Sequence, residues 1–342
     1  MQKESKKIIK IASVYAGAVL GAGFASGQEL TSFFVKFGIR GLIACTISGC
    51  MFMIFGSMVL VEAKMTKQTH YLGYLKAILG EKTGTVLYTI SELFMAVSFC
   101  VMLSGSGALF KEQFGLPAVM GVLLTSAICF AVLQGNVKEL TTINMILVPF
   151  MIVGMVFVCV IFMLNQHQES WLIFLNEKNR AYGNIFLYVS FNMLTATAVL
   201  VPLSKITEKK SSLAVSGVLG GGVLLVCALF ACLVLYIAYD SVAGKELPML
   251  AISQNVSSIA SYAYAAVLYM ALLTTAAANG FSVVEHFAAK GKNRKIVATV
   301  LSVVSIPMSL IPFSSMVEYC YTVFGMLGLV VLAGVLINWF KK

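Results

Sequence analysis

Hydrophobic residues run through this chain in long, nearly unbroken stretches, separated by short polar or charged interruptions. Runs such as 142–164, 213–238 and 317–340 are each long enough to cross a bilayer, which takes roughly 20 apolar residues of helix. Read against Gly, Pro and charge punctuation, the pattern predicts ten spans: 8–36, 39–63, 85–110, 117–134, 142–164, 183–204, 213–239, 259–287, 296–312 and 317–340. No series of short alternating segments suggests a transmembrane barrel. The predicted class is therefore an all-α polytopic membrane protein, and no cleavage site argues for removing the first apolar stretch as a signal peptide.

Composition agrees with the pattern. Of the 342 residues, 59% are hydrophobic and 11% charged, against about a quarter charged in soluble domains. The net charge of +10 resides in short loops, so it reads as topogenic and not as a nucleic-acid surface. With the N-terminus inside, 18 of the 24 basic residues fall on the inner side, leaving Lys36, Arg40, Lys111, Lys178, Arg180 and Lys245 outside. That bias predicts a plasma-membrane protein with both termini cytoplasmic. The eight cysteines all lie in predicted spans without a CxxC pair and read as small buried hydrophobes. His70, His167 and His286 are too scattered for a metal site.

Ten spans divide into five and five at the segment 165–182. This segment and 240–258 are long, external and partly apolar, so each fits either a helix lying along the outer surface or an ordinary interfacial loop. An odd number of spans per half gives the halves opposite orientations. The chain thus reads as one transmembrane domain, 1–342, with inverted repeats over about 8–164 and 183–340. Inverted repeats with interrupted helices near the midplane are a transporter signature.

The first span contains "VLGAGFASGQEL", residues 19–30. Gly21, Gly23 and Gly27 each cost about 1 kcal/mol relative to Ala inside a helix. Gly17-x-x-x-Gly21 also fits close helix packing. Ser26-Gly27-Gln28-Glu29 has the S-x-x-E form of a capping box, which marks a new helix start. The pattern predicts two half-helices, with Glu29 either capping the second or holding a cation, a substrate amino group or a transported proton. The matching span of the second half offers Ser190, Asn192, Thr195 and Thr197 in "YVSFNMLTATAVLVPL", and a break near 190–195 is expected there because such side chains compete for backbone hydrogen bonds. In span eight, Thr274 and Thr275 present adjacent hydroxyls that suit a small hard cation. Glu62, Asp240, Glu285 and Glu318 lie near span ends and read as interfacial, while Glu92 faces the bundle from span three.

"GAGFASGQE", the ten spans and the length resemble the YkvI-type family of bacterial membrane proteins over essentially the whole chain. That family is remotely similar to the amino acid–polyamine–organocation transporters of the LeuT-type fold, which implies a five-plus-five inverted repeat with broken helices one and six. The resemblance implies a sodium site made by Gly17 and Leu20 at the first break with Ala271, Thr274 and Thr275 of span eight. It implies a substrate position against Ala22, Gly23, Phe24 and Ala25 with Ser190, Phe191 and Asn192. Ser26, Gln28, Glu29 and Thr195 join that set from the polar residues beside the breaks. The chain departs from the pattern in its Gln28-Glu29 pair and in lacking the span-five lysine of proton-coupled relatives.

The expected function is secondary active transport of a small polar solute, such as an amino acid, by alternating access. Na⁺ is the expected coupling ion, and no other cofactor is implied. A proton-coupled carrier using Glu29, or a membrane receptor or structural protein without transport, are the alternatives. No HExxH, Ser-His arrangement or paired intramembrane carboxylates suggest an enzyme.

Overall fold

The computed structural model describes residues 2–135, 137–165 and 182–341. The chain starts with α1 (Gln2–Val19), the single turn α2 (Ala22–Ala25), α3 (Gln28–Phe33) and a 3₁₀ turn at Val35–Phe37. Then come α4 (Ile39–Met65), α5 (Tyr71–Leu79), α6 (Glu81–Phe114), α7 (Ala118–Leu133) and α8 (Val137–Asn165). The second half holds α9 (Gly183–Leu203), α10 (Lys210–Ile237), α11 (Tyr239–Val242), α12 (Pro248–Val256), α13 (Ser258–Ala289), α14 (Arg294–Met308) and α15 (Phe313–Phe340).

Seven of these helices are long and apolar enough to cross a membrane. The regions predicted as spans four and nine form the shorter helices α7 and α14, of 16 and 15 residues. The region predicted as span one is divided among α1, α2 and α3. Segment 240–258 forms α11 and α12, and Pro248–Ser253 of α12 are buried within the protein instead of lying on its surface. The companion segment 165–182 lies outside the described residues except for Tyr182.

Close approach of helices rests on small residues, as expected where water does not drive association. A methyl group at Gly217 or Gly221 of α10 would overlap the backbone of α4 at Ser57 or Met53. The Ser57 hydroxyl also donates to the Ala214 carbonyl across that seam at 2.9 Å. Tyr15 of α1 fits the groove above it, where methyls at Gly56 and Gly220 would strike its ring. Its hydroxyl donates to the Phe52 carbonyl at 2.8 Å.

Helix neighbours follow a regular scheme. When each half is numbered by its predicted spans, α1, α4, α6 and α7 each touch the helix five spans later: α9, α10, α13 and α14. Further contacts come in matched pairs: α1 with α10 mirrors α9 with α4, and α6 with α15 mirrors α13 with α8. The short helices obey the same exchange, since α5 packs on α6 and α15 while α12 packs on α13 and α8.

The expected break in span six is corrected: α9 runs as one helix from Gly183 to Leu203. Ser190, Asn192 and Thr195 bond back to the preceding turn instead of opening it, and the buried Thr197 hydroxyl has no partner. Ser190 Oγ donates to the Leu187 carbonyl at 3.0 Å, Asn192 Nδ2 to Tyr188 at 3.0 Å and Thr195 Oγ1 to Asn192 at 2.9 Å. Such back-bonding leaves the helical ladder intact. Glu62 is also corrected from interfacial to buried, with its carboxylate accepting from Tyr74 Oη at 2.7 Å and from Asn338 Nδ2.

Candidate functional site

The first span is interrupted twice. After α1, the Gly21 amide turns to the Val19 carbonyl at 2.8 Å and not to Gly17, its partner in a continuous helix. Gly21 is extended, with φ −91° and ψ −170°. The chain makes one helical turn, then reverses at Gly27, whose φ of +77° is a conformation that glycine adopts without steric cost. α3 starts at Gln28.

The capping box does not form as expected. The Ser26 amide bonds to the Ala22 carbonyl at 2.8 Å, so the Glu29 side chain has no donor to take there. The Ser26 hydroxyl donates to the Gly23 carbonyl at 2.7 Å and accepts the Gln28 amide at 3.2 Å, tying the two short helices together. Glu29 instead folds back over Gly23, where an added methyl would overlap its carboxyl. It is only 6% exposed, and its Oε2 atom has no hydrogen-bond partner. A buried carboxyl without partners is costly, which removes the capping explanation for its presence.

A cluster of aromatic rings that includes Tyr188 and Tyr321 lies near this carboxyl. The Tyr188 and Tyr321 hydroxyls lie within electrostatic reach of Glu29. Phe33, one turn after Glu29 on α3, stands 5.5 Å from both Tyr188 and Phe191 between ring centroids. Phe191 in turn lies 4.8 Å from Tyr321, and Phe94 of α6 touches Phe191, Tyr321 and Phe324. The Tyr188 hydroxyl is buried without a partner. Beside Tyr188, a small cavity is lined by Val19, Phe24, Cys45, Ser48, Phe52 and Leu224, among others. Cys45 and Cys232 approach to 3.7 Å between their sulfurs across the α4–α10 seam, and both are free thiols.

On the other side, the first interruption faces α13. A methyl at Gly21 would lie 4.0 Å from Thr275 Oγ1. Thr274 is buried, its hydroxyl directed to the Met270 carbonyl at 2.9 Å. Gly17 packs near Val148 of α8, and Leu20 and Ala271 are buried. Among the described residues, no group of three or more His, Cys, Asp or Glu side chains could hold a metal ion.

Ala22, Gly23, Phe24, Ala25, Ser26 and Gln28 are all buried in the interrupted segment. Gln28 Nε2 donates to Ser32 Oγ at 3.3 Å, while its Oε1 is unpartnered. Phe191 reaches α3 through Phe33. Ser190 does not: its one hydroxyl proton is shared between the Gly325 carbonyl of α15 at 2.5 Å and the Leu187 carbonyl at 3.0 Å. Asn192 and Thr195 bond within their own helix. Sequence reasoning missed Tyr188, Tyr321 and Tyr264. Tyr188 precedes Phe191 by one turn, so helical spacing could have found it. Tyr264 of α13 donates to the Ala25 carbonyl at 2.5 Å, a pairing across two distant elements that no local pattern signals.

The end of the bundle that holds α12 is closed over this site. The Met249 amide of α12 donates to the Ser26 carbonyl at 3.0 Å. The Glu112 carboxylate accepts the amides of Glu246 and Leu247 at 2.8 and 3.2 Å, and Glu246 accepts the Ser314 amide at 2.6 Å. Lys36, after α3, pairs with Glu318 of α15 at 2.5 Å.

No protein-family model matches the chain. It is similar to the uncharacterized membrane protein YkvI of Bacillus subtilis (strain 168), with 27% identity covering 98% of this chain and 97% of that protein. Among solved structures it resembles MhsT in complex with L-phenylalanine, at TM-score 0.70 and 18% identity, covering 97% of this chain and 89% of that one. It also resembles a manganese transporter of Eremococcus coleocola, at TM-score 0.68 and 13% identity, covering 95% and 77% respectively. The resemblance to YkvI thus extends over nearly the whole length, and the chain is a multi-pass helical membrane protein with the LeuT-type fold.

Proposed function

We propose that the protein is a secondary active transporter that moves a small polar solute across the plasma membrane by alternating access. In this reading, ten spans form two inverted repeats of five, over about 8–164 and 183–340, with both termini cytoplasmic. The exchange symmetry of helix neighbours supports it, because the pairing of each of the first four spans with the fifth one after it follows from a two-fold relation between halves. The interruption in span one has no counterpart in α9, so the repeat is asymmetric at its centre.

The observation that carries the proposal is the interrupted first span facing Thr275. Irregular backbone at membrane depth persists only where protein buries it or a cavity needs it. The Gly17 carbonyl, relieved of its helical donor, and the oxygens of Leu20, Ala271, Thr274 and Thr275 supply the hard-oxygen ligand type that a sodium ion takes. The solute would lie on the opposite face of the same segment, against residues 22–29 and Phe191. Ion binding then shifts the balance of conformations by its differential affinity for them.

The test is uptake into vesicles holding the purified full chain, with an imposed Na⁺ or proton gradient and a panel of amino acids and small organic ions. Gradient-dependent accumulation of any member supports transport. Saturable binding without flux under either gradient would replace it with a receptor.

A second reading, proton coupling through Glu29, is favoured by the unpartnered carboxyl at the site. It predicts flux driven by a proton gradient alone and abolished in Glu29→Gln.

A further inference from the structure

The seam between α4 and α10 descends in steps. Ser57, Met53, Gly49 and Cys45 follow one another along α4 at every fourth residue, and they meet Gly217, Gly221, Leu225 and Cys232 of α10. At the first three steps an added methyl on the glycine would strike the facing helix. At the fourth, the two sulfurs stand 3.7 Å apart, and both thiols are free and buried. Cys45 also lines the small cavity that it shares with Val19, Phe24, Phe52, Leu224 and Tyr188. Tyr188 is 2% exposed, its hydroxyl has no partner, and it lies within electrostatic reach of both sulfurs. Packing alone accounts for two buried thiols. It does not account for a phenol oxygen left unsatisfied beside them, since burying such a group is costly.

We infer that Cys45, Cys232 and Tyr188 form a binding site for a thiophilic divalent cation of the zinc and cadmium class, held between the two sulfurs with the phenol oxygen as third donor. Thiolates select soft and borderline ions over magnesium, calcium and sodium, which require a shell of oxygens. Zinc holds sulfur at about 2.3 Å, so two thiolates on a tetrahedral ion stand roughly 3.8 Å apart. The sulfurs here already have that spacing, at 3.7 Å. Charge then decides the valence. Two thiol protons leave as one divalent ion enters, and the product is neutral. A monovalent ion such as cuprous copper would leave one net negative charge beside Val19, Phe24, Phe52 and Leu224, which burial penalises. Because the third donor is a phenol, the set differs from the His, Cys, Asp and Glu triads of familiar metal sites, and it leaves one tetrahedral position open. An ion here would join α4, α9 and α10 next to the first interruption, since Val19 and Phe24 on either side of it share the cavity. The site needs neither sodium binding nor transport.

The experiment loads the purified full chain in detergent with Cd²⁺, Zn²⁺ or Mg²⁺, at fixed pH and under a phosphine reductant, and then removes free metal. Retained Cd²⁺ or Zn²⁺, a thiolate-to-cadmium charge-transfer band in the ultraviolet and a raised melting temperature are expected. Mg²⁺ should produce none of these. Cys45→Ser and Cys232→Ser should each weaken the apparent Cd²⁺ affinity by at least the roughly 10–100-fold that loss of an outer-shell partner costs. Tyr188→Phe, which keeps the ring, should weaken it less. Cys50→Ser removes an exposed thiol and should change nothing. Should the Cys45 and Cys232 variants not fold, X-ray absorption of the zinc-loaded parent decides: two sulfur neighbours near about 2.3 Å, with oxygen at about 2.0–2.2 Å, are expected. No retained metal, a response to Mg²⁺ equal to that to Cd²⁺, unchanged affinity in both Cys45→Ser and Cys232→Ser, or a zinc shell without two sulfurs would overturn the inference. Loss of the cadmium band in Cys50→Ser would mark adventitious surface binding and overturn it equally.

Discussion

The carboxyl group of Glu29 rests on the α-carbon of Gly23, so closely that the glycine has no room for a methyl. The two residues belong to different short helices, α3 and α2, and the contact spans the reversal at Gly27. Gly23→Ala must push the carboxyl off its seat, and overpacking of this kind costs about 1–3 kcal/mol. The expected result is a lowered melting temperature for Gly23→Ala and partial recovery in the Gly23→Ala/Glu29→Ala pair. Additive losses in the double variant would mean that the contact is not the source of the cost.

Tyr264→Phe removes one hydrogen bond, to the Ala25 carbonyl, while keeping the ring. A net loss of about 1 kcal/mol is expected, read as a small drop in thermal midpoint. The freed carbonyl is at the end of α2, so hydrogen exchange of residues 21–28 should quicken more than that of α13. Equal exchange in both would contradict an anchoring role.

Sodium should stabilise the protein through the first interruption. Replacing Thr274 and Thr275 by Ala together is expected to abolish the Na⁺-dependent rise in melting temperature while leaving stability in K⁺ little changed. A parent protein whose melting temperature ignores Na⁺ would dispose of the sodium site.

Glu4 ties the start of α1 to the head of α10. Its carboxylate accepts from Lys7 Nζ at 2.9 Å, Thr207 Oγ1 at 2.9 Å and Ser212 Oγ at 3.2 Å. The Lys7 bond, followed by that from Thr207, holds its pKa below the ordinary glutamate value. With the folded value depressed, the contribution to stability is fully present above the unfolded pKa of about 4.3. It fades as pH falls through the folded value. The difference in melting temperature between parent and Glu4→Gln should thus be constant near neutrality and close below about pH 4. A gap that persists at acid pH would assign the effect to packing.

Much of this architecture is written in local pattern. Hydropathy marks the long helices because each must hide its own backbone bonds in lipid, and the end of α1 coincides with glycines that a helix interior disfavours. The same local logic misled at Ser190, Asn192 and Thr195, where side chains capable of opening a helix bond back to it instead. It also misled at Ser26 and Glu29, because the amide that a capping box needs was already used by Ala22. The ring cluster of Phe33, Tyr188, Phe191 and Tyr321 was not legible at all. Phe33, Phe191 and Tyr321 are far apart in the chain, and only packing brings their rings together.

The Met249 amide hangs from the Ser26 carbonyl, the backbone group at the second interruption of the first span. Lifting α12 away from the bundle must therefore either forfeit that bond, a loss of about 1 kcal/mol, or drag the interrupted segment with it. α12 and the broken strand of backbone beneath it share one fastening, so any reshaping of the one is felt by the other.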